Sequence, residues 1–379
     1  MPLSDVLHQD AAIGRITRAL ASTRVPHAYL FSGPPGVGKE LLASKLAQLL
    51  LCTGTNVAMA ESRVGSAVRA VQPNDSCGTC PDCILFAAGN HPDYHRIHRA
   101  LNKMHPDKAV QRRKAIDLGV DVIRHFVLDR IMLCPSRGIA KVFIIVEADR
   151  LTIQAQNALL KTLEEPPGHS YLILLASAPD DLLATTRSRC QHIALGALPD
   201  AFVSERIERD RQLAPADTAF LVQLAQGSLG MALRYADMGI QQRARNVVSV
   251  CKAAIDDPLG AGKALAELAK ELSSGAKDTD ADEEGDTNAA REAQALVLAI
   301  TGTLLRDVQR AVVGTSPLAR IGDPTITALA NRSSTRSIAN AIRALSTAEY
   351  QIGQNANAGL IFDSIGIALN RAFGSAVAV

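Results

Sequence analysis

The run His27-Ala28-Tyr29-Leu30-Phe31-Ser32, leading directly into Gly33-Pro34-Pro35-Gly36-Val37-Gly38-Lys39, constrains this chain more than any other feature. A short continuous apolar run bounded by a turn reads as a buried strand. Beyond Lys39, the stretch Leu41 to Leu50 carries a broad apolar face at helical spacing. Between a strand and a helix, glycines let the backbone curl until its N–H groups converge on an anion, and the helix N-terminus adds a favourable field. A lysine at the end of the loop can reach the outer oxygens of a nucleotide. Gly33, Gly36, Gly38 and Lys39 are therefore read as a phosphate cradle built into an α/β sheet.

Two further runs match the first. Val142 to Val146 and Tyr171 to Ala176 are nearly all apolar, as parallel strands covered on both faces should be. Between them, Ala155, Ala158, Leu159 and Leu163 recur at helical spacing until Pro166-Pro167 ends the segment. Strand, glycine loop, helix and further strand–helix units are the plan of a doubly wound nucleotide-binding sheet. After Pro199 strand signals nearly vanish and alanine-rich helical segments take over. Aromatic residues are 3% of the chain and Trp is absent, so Leu, Ala, Ile and Val must fill the cores, a bias that favours helices.

The cradle lacks what normally binds a metal. A hydroxyl residue should follow the lysine and ligate Mg²⁺; here that residue is Glu40. The central strand of such a site should end in Asp and then Glu, and this chain reads Val146-Glu147. Glu147 keeps its place, while Asp149 lies beyond the strand end. Two losses at one metal site argue against Mg²⁺ binding and rapid hydrolysis, and leave ATP or ADP binding open.

Cys77, Cys80 and Cys83 are spaced so that three thiolates meet one ion, and Cys52 can supply the fourth. Four sulfurs in a compact module suit a closed, tetrahedral Zn²⁺ site of structural rather than catalytic kind, with an iron–sulfur cluster as the minor alternative. Thr53 to Ser76 reads as an insertion within this module. Cys134 and Cys251 have no close companions and read as buried small hydrophobes.

Asn157-Ala158-Leu159-Leu160-Lys161-Thr162-Leu163-Glu164-Glu165-Pro166-Pro167, then Leu172 to Ser177, then Thr186-Arg187-Ser188-Arg189-Cys190, make a more specific pattern. The combination resembles the clamp-loader family of AAA+ proteins, which includes the bacterial polymerase III gamma/tau and delta-prime subunits and the replication factor C subunits. That resemblance implies that Arg189 acts in trans as an arginine finger on a neighbour's ATP, and that Ser177 stands at the first sensor position. A guanidinium at a domain edge suits that task, since it can neutralise charge on a transferred phosphoryl group.

In the family's motors an arginine follows a Gly-Ser pair in the small helical domain. Here the stretch is Gly227-Ser228-Leu229-Gly230-Met231-Ala232-Leu233-Arg234, with Gly230 in the arginine's place and Arg234 a turn later. This form resembles the delta-prime branch. Asn355 to Leu360 resembles the start of the family's last helix, and His8-Gln9-Asp10 with His27 resembles its adenine-side entrance. His91-Pro92-Asp93 also matches, and His91 is better placed in a turn than on a metal whose shell four cysteines fill.

The expected architecture is an AAA+ α/β domain over 1–198 with the zinc module at about 52–83. A helical lid over 199–245 and an all-α collar over 246–379 follow, the collar interrupted by an acidic, solvated insertion at 273–288. The resemblance implies a delta-prime-like subunit that assists ATP-dependent loading of the sliding clamp onto primed DNA; a catalytically active gamma/tau-like ATPase is the alternative. Implied partners are gamma/tau-like ATPase subunits and a delta-like clamp-opening subunit, with the clamp and primed DNA as further contacts.

Net charge is only +2, so any DNA contact must be local. Arg99, Lys103, Lys108, Arg112, Arg113 and Lys114 form a basic run that either meets backbone phosphates or is a solvated surface. The start shows no basic region followed by an apolar core, and no apolar run is long enough to cross a bilayer, so a cytoplasmic protein without a membrane partner is expected. His95 and His98 lie in a polar run without a carboxylate at catalytic spacing, which gives no support to a nuclease or protease.

Overall fold

The computed structural model describes residues 3–22, 25–54, 76–113, 115–137, 140–167, 170–275, 283–318, 323–354 and 356–374. Most of the expected insertion at 53–76, the centre of the acidic insertion, Lys114 and Asn355 lie outside them. The chain divides into two compact units, Met1–Leu198 and Pro199–Val379.

The first unit is built on five parallel strands: β1 (Ala28–Ser32), β2 (Tyr94–Ile97), β3 (Lys141–Ile145), β4 (Ser170–Ala176) and β5 (Gln191–Ala194), in the order β2-β3-β4-β1-β5. β1, β3 and β4 match the three apolar runs. β2 and β5 are short outer strands of mixed polarity, which is why apolar continuity alone does not find them.

Side chains alternate across the sheet, as strand geometry requires. Tyr29, Phe31, Val142, Ile144, Ile173 and Leu175 face one core with helices α1 (Asp10–Ala21) and α2 (Lys39–Leu51). Leu30, Phe143, Ile145, Leu172 and Leu174 face the other. That second core is completed by the helical run 120–131 and by helix α4 (Ile153–Glu164). Helix α3 (Pro81–Ala87) belongs to the cysteine module. The result is a three-layer α/β domain on a parallel sheet.

The second unit is helical throughout its described residues. It comprises α5 (Asp200–Arg211), α6 (Pro215–Ala225), α7 (Leu229–Asp237), α8 (Ile240–Ala253), α9 (Pro258–Gly275), α10 (Glu283–Val312), α11 (Asp323–Ala330), α12 (Thr335–Gly353) and α13 (Ala358–Phe373). Position 245, where a lid was expected to give way to a collar, falls inside unbroken α8. Residues 283–288 open α10 instead of continuing a loop, in keeping with the helix propensity of Glu. The Asn357 side chain caps α13 by accepting from the Leu360 N–H at 3.3 Å. No described helix is long and apolar enough to cross a membrane.

Candidate nucleotide site, cysteine cluster and edge arginine

The sheet order brings the cradle together. β1 lies between β4 and β5, so the loop after β1 emerges beside the ends of both. A Cβ at Gly33 would stand 2.3 Å from the Leu195 carbonyl oxygen, so only glycine passes beneath the chain leaving β5. Gly36 and Gly38 hold φ of 73° and 101°, backbone that other residues rarely adopt. Gly38 is also the N-cap of α2 and offers no side chain, leaving the first N–H groups of the helix directed at the loop. Buried Gln9 closes one wall: its amide nitrogen donates to Gly196 O at 2.9 Å and its oxygen accepts from the Gly196 N–H at 3.1 Å.

The Lys39 ammonium sits inside this curl. It donates to Gly33 O (2.5 Å), Pro34 O (2.8 Å) and Ser177 Oγ (3.0 Å), joining the loop to the end of β4. Burial lowers its pKa, and Asp149 nearby works in the opposite sense. Asp149 itself accepts from the Ser177 N–H at 3.2 Å and so fixes the end of β4 beside Lys39.

Two carboxylates beside the cradle, Glu40 and Glu147, are already engaged by arginines. Glu40 accepts from Arg96 Nε at 2.5 Å. Glu147, in the left-handed region at φ 54°, accepts from Arg99 Nε (2.8 Å) and from its terminal nitrogen (3.0 Å). Val146 completes the strand end as a packed apolar residue. This arrangement answers the carboxylates with guanidinium charge. Arg96 lies on β2 and Arg99 just past its end, so the edge strand missed in sequence supplies both partners.

The basic run is thereby reduced. Arg99 is bound to Glu147, and Arg113 bonds Asp121 at 2.5 Å. Lys103, Lys108 and Arg112 remain exposed. His95 and His98 do not form a catalytic pair: His95 stacks on Phe143 with ring centroids 4.7 Å apart. Burial, with Arg130 and Lys141 nearby, pushes the His95 pKa down to about 4. The unfolded chain therefore takes up a proton there before the folded one does, and stability falls as pH drops from about 6.5 toward about 4. His95→Phe should flatten that part of the curve, measured as melting temperature against pH; an unchanged slope would refute the assignment.

The four cysteines converge. Their sulfurs all lie within 4.8 Å of one another, with Cys52–Cys77 at 3.5 Å, Cys52–Cys80 at 3.9 Å and Cys77–Cys83 at 4.0 Å. Zinc–thiolate bonds of about 2.3 Å place tetrahedral sulfurs about 3.8 Å apart, so the donor set fits one tetrahedral ion. Backbone N–H groups support the sulfurs, Cys77 N to Cys52 Sγ (3.3 Å), Cys80 N to Cys77 Sγ (3.3 Å) and Cys83 N to Cys80 Sγ (3.4 Å). Burial opposes ionisation of Cys80, but hydrogen bonds from Thr53, Gly54 and Cys83 outweigh it and bring that thiol to about 5. Gly54 is a signal the spacing did not reveal: a Cβ there would lie 2.8 Å from Cys77 Sγ.

The module is tied to the loop before β3 by Asp82, which is buried and accepts from Arg137 Nε at 2.7 Å. His91 is also buried, with Nδ1 accepting from the Asp93 N–H at 3.1 Å, a turn role as expected. Cys251 is buried, but Cys134 is exposed, because it follows the helical run 120–131 at the surface instead of packing beneath it.

Arg189 sits just before β5, after the short turn Ala184–Arg187. Gln156 of α4, 1% exposed, anchors that turn: its oxygen accepts from the Leu183 N–H (2.8 Å) and Thr186 Oγ1 (3.3 Å). Gln156→Ala should cost about 1–3 kcal/mol by leaving those donors buried and unpaired, read as a loss of denaturant midpoint. A change below about 0.5 kcal/mol, the range of an ordinary surface substitution, would show the anchor to be dispensable. Further along, Arg234 pairs with Glu292 at 3.5 Å, both exposed. Gly230 stands in the first turn of α7, whose N-cap Ser228 accepts from the Met231 N–H at 3.1 Å.

Residues 8–199 match the profile of the family described as DNA polymerase III, delta subunit, more than half of the 379 residues. The chain belongs to this clamp-loader family. Among its relatives, the DNA polymerase III subunit delta' of Escherichia coli is 32% identical over 219 residues, 58% of this chain and 57% of that protein. The delta' subunit of Pseudomonas aeruginosa is 33% identical over 62% of this chain and 63% of its own length. E. coli DNA polymerase III subunit tau is 31% identical over 67% of this chain and 36% of its own. The alignments thus span under two thirds of each of these relatives. The family match coincides with the sheet unit that carries the cradle, the cysteine cluster and Arg189.

Proposed function

We propose that this chain is the delta-prime-like subunit of a bacterial DNA polymerase III clamp loader, a cytoplasmic hetero-oligomer that loads the sliding clamp onto primed DNA. It carries no rapid ATPase of its own and serves the site of a gamma/tau-like neighbour through Arg189. The observation that carries this reading is the pairing of Glu40 with Arg96 and of Glu147 with Arg99 beside a strand that ends in Val146. Glu40 stands where a hydroxyl should follow Lys39 and Val146 where an Asp should end the strand, so the cradle keeps its curl without its two usual Mg²⁺ ligands.

In the proposed mechanism, nucleotide binding draws the ring of subunits together and brings Arg189 against the neighbour's phosphates. Its guanidinium then neutralises charge that builds up on the transferred phosphoryl group. Hydrolysis followed by release of the phosphate takes away the anionic group that the guanidinium engages and loosens the interface. A lid over about 199–245 and a collar over 246–379, sharing α8, would hold the assembly, with a delta-like clamp opener, the clamp and primed DNA as further partners. Cys52, Cys77, Cys80 and Cys83 would hold one Zn²⁺ in a closed structural site.

The test is an ATPase and clamp-loading assay on the assembled complex with Arg189→Ala and Lys39→Ala compared side by side. Arg189→Ala is expected to depress clamp- and DNA-stimulated hydrolysis, and Lys39→Ala to leave it near wild type. The reverse pattern would sink the assignment. A second reading, a gamma/tau-like ATPase, is favoured by the likeness to tau and by the preserved Lys39; it requires hydrolysis by the isolated chain that Lys39→Ala abolishes.

A further inference from the structure

The Arg189 side chain is not free at the surface. Its Nε donates to Glu164 Oε1 at 2.6 Å, one terminal nitrogen contacts the same carboxylate oxygen, and the other terminal nitrogen donates to Thr185 O at 2.8 Å. A guanidinium has five N–H groups. Three are directed inward by these contacts, which leaves one on each terminal nitrogen for an outside acceptor. Arg189 and Glu164 retain 32% and 49% side-chain exposure, so the group is held without being sealed.

Glu164 is the last residue of α4 and Gln156 lies two turns earlier on the same helix. Gln156 grips the base of the turn that carries Arg189, and Glu164 grips the tip of its side chain. One rigid element thus sets both the backbone and the guanidinium. The placement works against helix stability, because a carboxylate at a helix C-terminus meets the negative end of the dipole. It also stands beside Glu165, a second negative charge. Stability of α4 therefore does not account for an acid at 164; orientation of Arg189 does.

We propose that Glu164 is the positioning residue of the trans arginine. It orders the guanidinium in advance so that its remaining N–H groups meet the oxygens of the neighbour's terminal phosphate. This deepens the function proposed above and rests on it. A free arginine must give up side-chain rotamer entropy when it engages a phosphate. An arginine held by Glu164 and Thr185 O has lost most of that freedom on folding, before the neighbour's nucleotide arrives. The gain is realised at the transition state, where alignment matters most, so it shows in kcat and not in nucleotide affinity.

The experiment uses the assembled clamp loader with clamp and primed DNA, comparing wild type, Glu164→Ala, Glu164→Gln and Arg189→Ala across ATP concentrations. Glu164→Ala should lower kcat about tenfold, an order-of-magnitude alignment effect, with KM for ATP changed less than about twofold. Glu164→Gln keeps an acceptor oxygen for the same N–H groups and should recover kcat to within about threefold of wild type. The melting temperature of Glu164→Ala should not fall, since removing a carboxylate from a helix C-terminus relieves the dipole. If Arg189→Ala abolishes stimulated hydrolysis while Glu164→Ala leaves kcat at wild type, or raises KM alone, the positioning role is overturned and the trans arginine stands. If Arg189→Ala has no effect either, the function proposed above falls with it.

Discussion

Arg189→Ala is expected to slow hydrolysis at the neighbouring site that we propose it serves by about 10³-fold, at the lower end of what arginine fingers contribute. Its present contacts set that expectation. The guanidinium is half-exposed, ordered from two sides and carried on a turn pinned to the core by Gln156, so little reorganisation separates it from a working position. The loss belongs to the chemical step, so single-turnover hydrolysis by the assembled complex at saturating ATP is the right measurement, and the fast phase supplied by that site should disappear. Arg189→Lys should recover little. An ammonium carries the charge but cannot keep the fork that now engages Glu164 and Thr185 O while also presenting two N–H groups outward. An unchanged fast phase with Arg189→Ala would remove the residue from any role in hydrolysis.

Breaking the cysteine cluster should have the second large effect, on stability instead of turnover. Apparent binding energies of structural zinc in small peptides are about 10–16 kcal/mol, because binding and folding are one event there. The sheet unit has its own two apolar cores, so only part of that energy should be lost here. A loss of about 3 kcal/mol would lower the melting temperature of a unit of this size by about 6–12 °C. Cys83→Ser should do this and reduce bound zinc, measured by metal analysis, from one ion per chain to near none. Cys134→Ser, at an exposed thiol outside the cluster, should change neither. Full metal content and an unshifted melting curve for Cys83→Ser would exclude the four-thiolate site. Acid should release the ion as thiolates are protonated, and a chelator should reproduce the Cys83→Ser melting curve at neutral pH.

Some of the candidate site is legible because its parts are close in sequence. The cradle is a single strand–loop–helix, and its glycines and Lys39 are required by local backbone geometry. Cys77, Cys80 and Cys83 follow one short turn, so their spacing reports their meeting point directly. The helical character of everything after Pro199 shows in composition and periodicity, though not where one helix passes through an expected boundary, as α8 does at 245. Cys134 illustrates the opposite case. An isolated cysteine carries no periodic context, and its exposure depends on where a helix happens to end.

The strand–cradle–helix order, the spacing of Cys77, Cys80 and Cys83 and the missing hydroxyl and Asp at 40 and 146 were determined by the sequence alone, because each is a matter of residue type within a few positions. What balances those losses was decided only by the tertiary structure. Arg96 meets Glu40 and Arg99 meets Glu147 because β2 pairs beside β3, and Glu164 meets Arg189 because α4 packs under the turn into β5. These partners lie 56, 48 and 25 residues apart. Hydrophobic periodicity sets which face of an element is buried, but says nothing of which charged residue on another element it will meet. Strand order makes that choice, and strand order is a property of the whole sheet.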